Sequence, residues 1–285
     1  MRWTKPIATS IAALWLAPCP LMAEEEPGAL LARAFENLYA DDYVQTLELV
    51  TESRGVRALS RTLQITRKQS VRPGKALVRF LEPFDVRRTS VLILENDDAS
   101  DDLYVYLPAL RMTRRISAAQ RADAFFGTDL SYEDIEPKHA GDYVARYLPR
   151  EAGHECVPVE LVPDDGFEST YERMVSCIGV ERALIHWTDF YRHGRGLKRL
   201  EVDLGQIREI GRRRVPFAMT MRTLRTGSRT LVLTRRYELT GEIPERLFST
   251  WNLEAGDADR DRARAGVEST GSGEGTAAHS PDWGK

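Results

Sequence analysis

From Tyr43 onward, hydrophobic and polar residues alternate in short runs that end at glycine, proline, aspartate or asparagine. A period of two residues is typical of β-strands with one buried face. The runs continue to Leu239, and turn sequences such as Arg72-Pro73-Gly74 and Thr226-Gly227-Ser228 separate them. Short connections favour sequential hairpins over parallel crossovers. The pattern therefore predicts a large, mostly antiparallel sheet with few helices.

One amphipathic helix precedes the strands. After Pro27, the apolar residues recur at helical spacing and share one face: Leu30, Leu31, Ala34, Phe35 and Leu38. Past Leu253 the chain is rich in Ala, Gly, Ser, Asp and Arg without a periodic apolar face, so residues 255–285 are predicted to be a disordered tail. Residues 24–254 offer no linker and are predicted to form one domain.

The first residues predict export. Arg2 and Lys5 precede an apolar run and then small residues, which is typical of a signal peptide spanning residues 1–23. The apolar run is too short to span a bilayer. Cys19 raises the alternative of a lipid-modified cysteine, although the preceding proline is unusual for such signals. We expect the mature domain in the periplasm.

Composition and motifs argue against several functions. The net charge of −3 gives no electrostatic footprint for nucleic acid. The domain has no nucleophile elbow, zinc-protease motif or phosphate-binding glycine loop, so neither cofactor nor metal is expected. Glu133 and Asp134 are adjacent and would face opposite sides of a strand. We therefore expect no enzymatic activity, and a hydrolase remains an alternative only through Ser131 and the carboxylates near it.

Two cysteines follow the predicted signal peptide. Cys156 and Cys177 flank a turn sequence at residues 164–166, and a hairpin that paired Pro163 with Thr170 would set the two cysteines opposite each other. Export permits a disulfide between them. Two buried free thiols are the alternative, since sequence does not fix the geometry.

Two predicted strands carry methionine or aromatic residues on one face: Phe217, Met219 and Met221 on one, and Ile185, Trp187 and Tyr191 on the other. An ordinary core explains these residues. However, a large sheet with one clear helix has too little helix to cover a whole face, and flexible methionines suit an adaptable apolar surface. Part of this face is therefore expected to bind a ligand.

Residues 76–135 carry a recognisable series of segments. It comprises Val78 to Pro83, Tyr104 to Pro108, Arg114 to Ile116 and Phe126 to Asp134, and a later "IPERLF" sequence follows at residues 243–248. In this combination the chain resembles the outer-membrane lipoprotein-sorting protein family, relatives of the periplasmic carrier LolA. Two positions depart from the family: Arg88 stands where glycine is common, and Cys177 where tryptophan is usual. The family therefore does not imply the disulfide.

The resemblance implies a mainly β fold, a half-closed antiparallel β-barrel with a few helices over its concave side and an apolar cavity for acyl chains. It further implies a periplasmic carrier of lipoprotein or lipid, serving outer-membrane sorting or an RND-type exporter. A sensor of envelope lipoproteins or stress, or an interaction module without transport, is the alternative. The expected lipid-binding residues are Phe80, Tyr104, Tyr106, Phe125, Phe126, Trp187, Phe217, Met219 and Met221.

The stretch "DAFFGTDLSYED" at residues 123–134 is interpreted within this family as part of a lid. Phe125 and Phe126 precede a flexible glycine and would turn inward over the cavity. Tyr132, Glu133 and Asp134 would anchor the lid, with Arg114 or Arg115 as the expected partner of the acids. The alternative is that both rings belong to the core.

Overall fold

The computed structural model describes residues 25–53, 56–97, 100–150 and 155–254. The predicted signal peptide, Cys19 and the predicted tail lie outside the described residues. Within the described part of the chain, no helix has the length and apolarity to cross a membrane. The helix α1 spans Pro27–Tyr39. The strands are β1 (Tyr43–Ser53), β2 (Val56–Lys68), β3 (Lys75–Glu82), β4 (Ser90–Leu94), β5 (Asp102–Leu107), β6 (Met112–Arg115), β7 (Tyr143–Tyr147), β8 (Val157–Pro163), β9 (Arg173–Gly179), β10 (Leu184–Arg192), β11 (Arg195–Val202), β12 (Ile207–Ile210), β13 (Arg213–Pro216), β14 (Ala218–Thr223) and β15 (Arg229–Leu239).

Thirteen strands form one sheet in the order β6-β5-β4-β3-β2-β1-β15-β14-β11-β10-β9-β8-β7. Neighbouring strands in this sheet pair antiparallel, and β12 and β13 form a separate hairpin. Most neighbours are consecutive in the chain, as expected from short turns. The sheet does not close, because β6 and β7 stand at its two edges. The predicted mostly antiparallel sheet is confirmed.

The predicted helix is also confirmed. Pro27 begins α1, where its missing N–H removes no helical hydrogen bond. The apolar face predicted from the sequence is buried at Leu30, Leu31, Ala34 and Phe35. The helix lies against β7, β9, β10 and β13. It therefore covers the half of the inner face that lies toward the β7 edge.

Strands β3 to β5 are buried on both faces. Val78, Val91 and Val105 belong to a core on the inner face of the sheet. The intervening residues of these strands point outward, where Leu77 and Leu92 pack against a C-terminal segment that includes Phe248. The outer cluster consists of Leu77, Leu92, Tyr106, Ile243, Phe248 and Leu253. The "IPERLF" sequence thus covers the outer face, and the inner face is free for other elements.

Residues 116–142, which we call the crossing segment, connect the two edge strands β6 and β7. At its centre the Phe125 N–H donates to the Leu130 carbonyl at 2.7 Å, and Ala124 pairs with Ser131. Phe126 and Gly127 both have positive φ, 49° and 77°, which closes a tight turn. The segment lies on the inner face, because the Phe125 ring is fully buried in the inner core.

Arg88, at the position where the resembling family commonly has glycine, has φ of 70°. This is the left-handed region, which glycine enters without steric cost. Its N–H donates to the Phe80 carbonyl at 2.9 Å, so the turn after Asp85 holds arginine in a conformation that glycine adopts more easily.

The structure joins Cys156 and Cys177 by a disulfide, with 5.3 Å between their Cα atoms. The hairpin register expected from the sequence is nevertheless wrong. Pro158, not Cys156, lies opposite Cys177 in the β8–β9 pair, and Pro163 pairs with Tyr143 of β7. The loop between β8 and β9 is longer than the predicted turn, so the disulfide connects β9 with the residue before β8.

Breaking this disulfide should destabilise the fold. The bond closes a loop with a sequence separation of 21, and closing a loop of this length is worth about 3 kcal/mol in the chain-entropy picture. We expect the Cys156→Ala/Cys177→Ala double variant to lose about that much free energy of unfolding in urea. A reducing agent should lower the stability of the wild-type protein and leave that of the variant unchanged. Equal unfolding midpoints for wild type and variant would contradict the prediction.

Candidate functional site

A cavity of about 210 Å³ lies between the inner face of the sheet, α1 and the crossing segment. A single water needs about 10–15 Å³ of such space, so the cavity has room for a much larger group. Two other depressions, of about 470 and 450 Å³, lie near Tyr171 and Phe84 but are more open to solvent. Ligand pockets usually enclose most of the ligand surface. The first cavity, which is the least open of the three, is therefore the candidate site.

Most of the cavity wall is apolar. Strands from both halves of the sheet contribute aliphatic or methionine side chains, and the crossing segment contributes Leu130 and Ile135. The main apolar residues are Leu47, Ile65, Met174, Phe190, Leu200, Met219, Met221 and Val232. Several methionines allow such a wall to adapt to ligands of different shape.

One end of the cavity is polar and aromatic. Tyr43 of β1 lies directly opposite Arg67 of β2, and the Tyr43 ring stacks on Tyr237 of β15 with 4.7 Å between centroids. The Arg67 Cζ lies 5.3 Å from the centroid of the Tyr39 ring. Burial raises the pKa of Tyr39 to about 12, so its hydroxyl stays protonated at neutral pH. This end offers hydrogen-bond donors beside a cation.

Arg67 belongs to a buried charged network. Its Nε donates to the Tyr43 hydroxyl at 3.1 Å, and its Nη1 lies 3.6 Å from Glu95 Oε1. Glu95 also accepts a hydrogen bond from Gln69 and lies 3.0 Å from the His139 Nε2. Burial opposes ionisation of Glu95, but His139 and Arg67 outweigh it and lower the Glu95 pKa. Glu95 therefore lies between the two basic groups, with Oε1 toward Arg67 and Oε2 toward His139.

The crossing segment is anchored by Asp134, which forms a buried ion pair with Lys198 of β11. The Asp134 carboxylate also accepts hydrogen bonds from the Tyr171 hydroxyl at 2.8 Å and the Ser131 N–H at 2.7 Å. Burial opposes ionisation of Asp134, but the charge of Lys198 prevails and lowers its pKa. Asp134 thus links the crossing segment to Lys198 of β11, and the Tyr171 hydroxyl and the Ser131 N–H also hold its carboxylate.

Two further acids of this segment are satisfied by neutral donors. Asp129 accepts hydrogen bonds from three hydroxyls, those of Thr223, Ser228 and Thr230. Glu133 accepts from the Thr170 N–H at 2.7 Å and from the Ser169 hydroxyl. The expected arginine partners were wrong: Arg115 pairs with Asp102, and Arg114 lies exposed on the edge strand β6. The anchors instead lie far from this segment in sequence.

Comparison with known proteins places the chain in a family. A family model described as "uncharacterized protein" matches residues 73–255, which is more than half of the chain. The chain belongs to this family. Comparison by sequence with curated proteins finds no match.

Solved structures establish the fold. A DUF1329 family protein from Desulfovibrio piger has a TM-score of 0.73 and 24% identity, over 80% of this chain and 97% of that one. A domain described as an outer membrane lipoprotein-sorting protein from Vibrio parahaemolyticus has a TM-score of 0.70 and 24% identity, over 79% and 97%. A LolA superfamily protein from Nitrosomonas europaea has a TM-score of 0.66 and 19% identity, over 80% and 99%. The predicted resemblance and the LolA-like half-barrel are confirmed.

Only part of the expected lipid-binding set lines the cavity of this LolA-like fold. Met219 and Met221 of β14 lie in its wall. Phe80, Phe125 and Phe126 lie on the same inner face but pack on one another, with 5.5 and 4.6 Å from the Phe80 centroid to the other two. Phe125 also contacts Tyr132 at 5.5 Å. These rings fill the core under the crossing segment, which favours the alternative interpretation for the fully buried Phe125, and the lid hypothesis stays a prediction.

Tyr104 and Tyr106 were expected at the cavity, but both belong to the cluster on the outer face. The inner positions of β5 are taken by Leu103 and Val105, and a strand presents alternate residues to opposite faces. Because β5 is buried on both sides, its alternation does not reveal which face is the inner one.

Trp187 and Phe217 were also expected at the cavity, but neither lines it. A register shift between Ile185 and Trp187 inserts one extra residue, so that Ile185 faces the cavity and Trp187 does not. The Arg199 guanidinium covers the Trp187 ring at 4.5 Å. Phe217 lies between β13 and β14, and Arg208 covers its ring at 4.0 Å. Irregular backbone at both places redirects the side chain away from the expected face.

Sequence reasoning missed Arg67, although a signal for it exists. Leu63, Ile65 and Arg67 alternate along β2, and Leu63 and Ile65 are typical inward residues. An arginine in register with them is thereby predicted to face inward as well. The missed apolar wall residues Leu47 and Val232 follow the same alternation in β1 and β15.

The hydrolase alternative finds little support in the geometry. The Ser131 hydroxyl lies 3.0 Å from the Tyr171 hydroxyl and 3.4 Å from Lys198 Nζ. Lys198, however, is paired with the Asp134 carboxylate, and an ammonium group has no free lone pair with which to take a proton. Ser131 is itself buried. Its contacts serve the anchor of the crossing segment.

Phe125 should behave as a core residue. Phe125→Ala removes a fully buried ring, and such truncations cost about 3–5 kcal/mol. Phe84 offers a matched control in the same half of the protein, because its side chain is 90% exposed. Phe84→Ala should change the free energy of unfolding by no more than about 0.5 kcal/mol. Chemical denaturation of both variants checks the prediction. Equally small losses in the free energy of unfolding would indicate that Phe125 lies on a mobile loop.

His139 should make stability depend on pH. Its pKa is raised, chiefly by its hydrogen bond with Glu95 and further by nearby Asp142, while burial and Arg72 oppose the shift. The stabilisation from the pair is therefore fully present below the unfolded pKa of about 6.5 and is lost as pH rises through the raised folded value. The stability difference between wild type and His139→Gln should shrink from about pH 6 to pH 9. Urea unfolding at several pH values tests this, and a constant difference would refute it.

Proposed function

We propose that the chain is a non-enzymatic periplasmic carrier that shelters acyl chains of a lipoprotein or another lipid. The observation that carries the proposal is a mainly apolar cavity under the inner face of a LolA-like half-barrel. Residues 24–254 form the carrier domain, preceded by the signal peptide at 1–23 and followed by the tail at 255–285.

Burial of hydrocarbon would drive binding. Transfer of one CH₂ group from water to an apolar wall contributes about 0.8 kcal/mol. Strands from both halves of the sheet supply that wall, and Met174, Met219 and Met221 allow it to adapt. The buried acids of the crossing segment are paired with protein partners, so they do not leave unpaired charges beside the acyl chain.

Export is supported by two features. The first residues have the pattern of a signal peptide. The disulfide between Cys156 and Cys177 favours an oxidising compartment such as the periplasm. An RND-type exporter or an outer-membrane acceptor would then be the partner, as the resembling family implies. The name of the Vibrio parahaemolyticus domain, which refers to lipoprotein sorting, points the same way.

The proposal predicts a bound lipid. Protein expressed with its leader and purified from a bacterial periplasm should carry an extra mass in native mass spectrometry, and the extracted ligand should contain an acyl chain. A protein that is free of lipid and also takes up no fluorescent fatty acid would overturn the carrier function. Co-purification of a regulatory membrane protein without lipid would instead favour the sensor alternative.

A matched pair of variants in β14 tests the cavity itself. Met219 lines the cavity, whereas the neighbouring Thr220 faces the other side of the strand. Met219→Asn places an amide against the bound acyl chain and should weaken binding of a fluorescent fatty acid about tenfold. Thr220→Asn should leave the affinity unchanged. Equal effects of the two substitutions would place the bound chain elsewhere.

A further inference from the structure

Polarity falls along the cavity in one direction on three neighbouring strands. Tyr43 lies opposite Arg67, Gln45 opposite Ile65 and Leu47 opposite Leu63 in the β1–β2 pair. On the other side of β1, Tyr237 lies opposite Gln45 and Val232 opposite Leu49. Since a strand rises about 3.3 Å per residue, the change from Tyr43 and Arg67 to Leu47 and Leu63 takes roughly 13 Å. The cavity is therefore amphipathic along its length.

Arg67 is the most deeply buried arginine of the polar end, with only 2% of its surface exposed; Lys138 and Arg214 are further cations that line the cavity. A guanidinium has five N–H donors. The Nε donor is used by the Tyr43 hydroxyl, but the buried Nη1 makes no hydrogen bond with any described residue. A buried donor without an acceptor is costly, and more so on a charged group. Arg67 thus has hydrogen-bonding capacity to spare at the wall of the cavity.

Glu95 does not use this capacity. Its nearest oxygen, Oε1, lies 3.6 Å from Nη1, which is longer than a hydrogen bond; Oε1 instead accepts from Gln69, and Oε2 lies 3.0 Å from His139 Nε2. The buried Arg121, by contrast, donates directly to both oxygens of Glu136. Arg121 lies outside the cavity wall, whereas Arg67 lines it. Arg61 Nη1 is likewise buried without a hydrogen bond, but Arg61 does not line the cavity, so Arg67 is the one of these two arginines that belongs to the cavity wall.

Further donors surround the same end. Tyr39, Tyr237 and Arg214 line the cavity beside Arg67. Burial raises the pKa of Tyr39 and, more strongly, that of Tyr237, so both hydroxyls keep their protons as donors. Phenol and guanidinium donors together suit an oxygen-rich anion.

We propose that the cavity selects amphiphiles with an anionic head, a carboxylate or a phosphate ester, which pairs with the Arg67 guanidinium while the acyl chain lies along Ile65, Met219 and Val232. This assignment rests on the proposed carrier function and names its ligand class. The head group pairs with a guanidinium whose only described side-chain hydrogen bond is the one from Nε to Tyr43 and whose Nη1 lies beyond hydrogen-bonding distance of Glu95. The chain follows the fall in polarity along β1, β2 and β15.

The test compares ligands that share one chain and differ in the head. Delipidated full-length protein is titrated with hexadecanoate, hexadecyl phosphate and hexadecanol, each in competition with an uncharged fluorescent probe. We expect at least one anionic ligand to bind roughly tenfold or more tightly than the alcohol, as a hydrogen bond to a charged group implies. The tighter of the two anions distinguishes a fatty acid from a phospholipid-type head, and either one supports the proposal.

The variant Arg67→Met/Glu95→Gln removes the cation without leaving a lone buried carboxylate. It should lose the preference for anions and keep its affinity for hexadecanol. Arg121→Met/Glu136→Gln is the matched control, because it removes a buried arginine–glutamate pair outside the cavity wall, and it should retain the preference. Arg67→Lys keeps the charge without the planar fork, and it should retain part of the preference even where the double variant folds poorly.

The possible outcomes distinguish failure of the Arg67 assignment from failure of the carrier function. Equal binding of anions and alcohol by the wild-type protein would overturn the assignment of Arg67 and leave the carrier function standing. A preference that survives in a folded Arg67→Met/Glu95→Gln variant would also overturn it. Binding of none of the three ligands would overturn the carrier function itself.

Discussion

A sheet of thirteen strands that does not close exposes an apolar inner face, and a single passage of chain from one edge to the other covers much of it. This passage is the crossing segment at residues 116–142. It is held by the buried ion pair of Asp134 with Lys198 and by the packing of Phe125 on Phe80. A buried charge without its partner costs several kcal/mol, so the segment has one strongly preferred position. The remaining architecture depends on that position.

Because the crossing segment fills only one half of the inner face, the other half is left to α1. The two elements differ in how they meet the sheet. Phe125 and Tyr132 pack into a continuous core with β1 to β5, whereas α1 buries Leu31 and Phe35 against β7, β9 and β10 and leaves space toward β1 and β2. The cavity is this space between the helix, the crossing segment and the sheet. Its apolar wall is thus a by-product of the same division that stabilises the fold.

The sequence predicted the strands, α1 and the family resemblance, because periodicity and ordered motifs are local signals. Prediction from the sequence failed where residues distant in the chain, or an irregularity in the backbone, decide which way a side chain faces and what it contacts. Tyr106 alternates correctly but faces the C-terminal segment, and one extra residue beside Trp187 reverses the faces of β10. The pairing of Asp134 with Lys198 joins residues 64 positions apart, which no local pattern indicates. The cavity was therefore foreseen as a feature, while most of its wall was not.

The buried ion pairs around the inner face differ in how closely their charges meet. At the crossing segment, Asp134 and Lys198 neutralise each other at hydrogen-bonding distance, and so do Glu136 and Arg121. Their fields decline rapidly with distance because opposite charges lie side by side. Arg67 and Glu95 are farther apart, at 3.6 Å, and Glu95 is shared with Gln69 and His139. The charge of Arg67 is therefore less completely balanced at short range than that of Lys198 or Arg121, and Arg67 is the one of these three cations that lines the cavity.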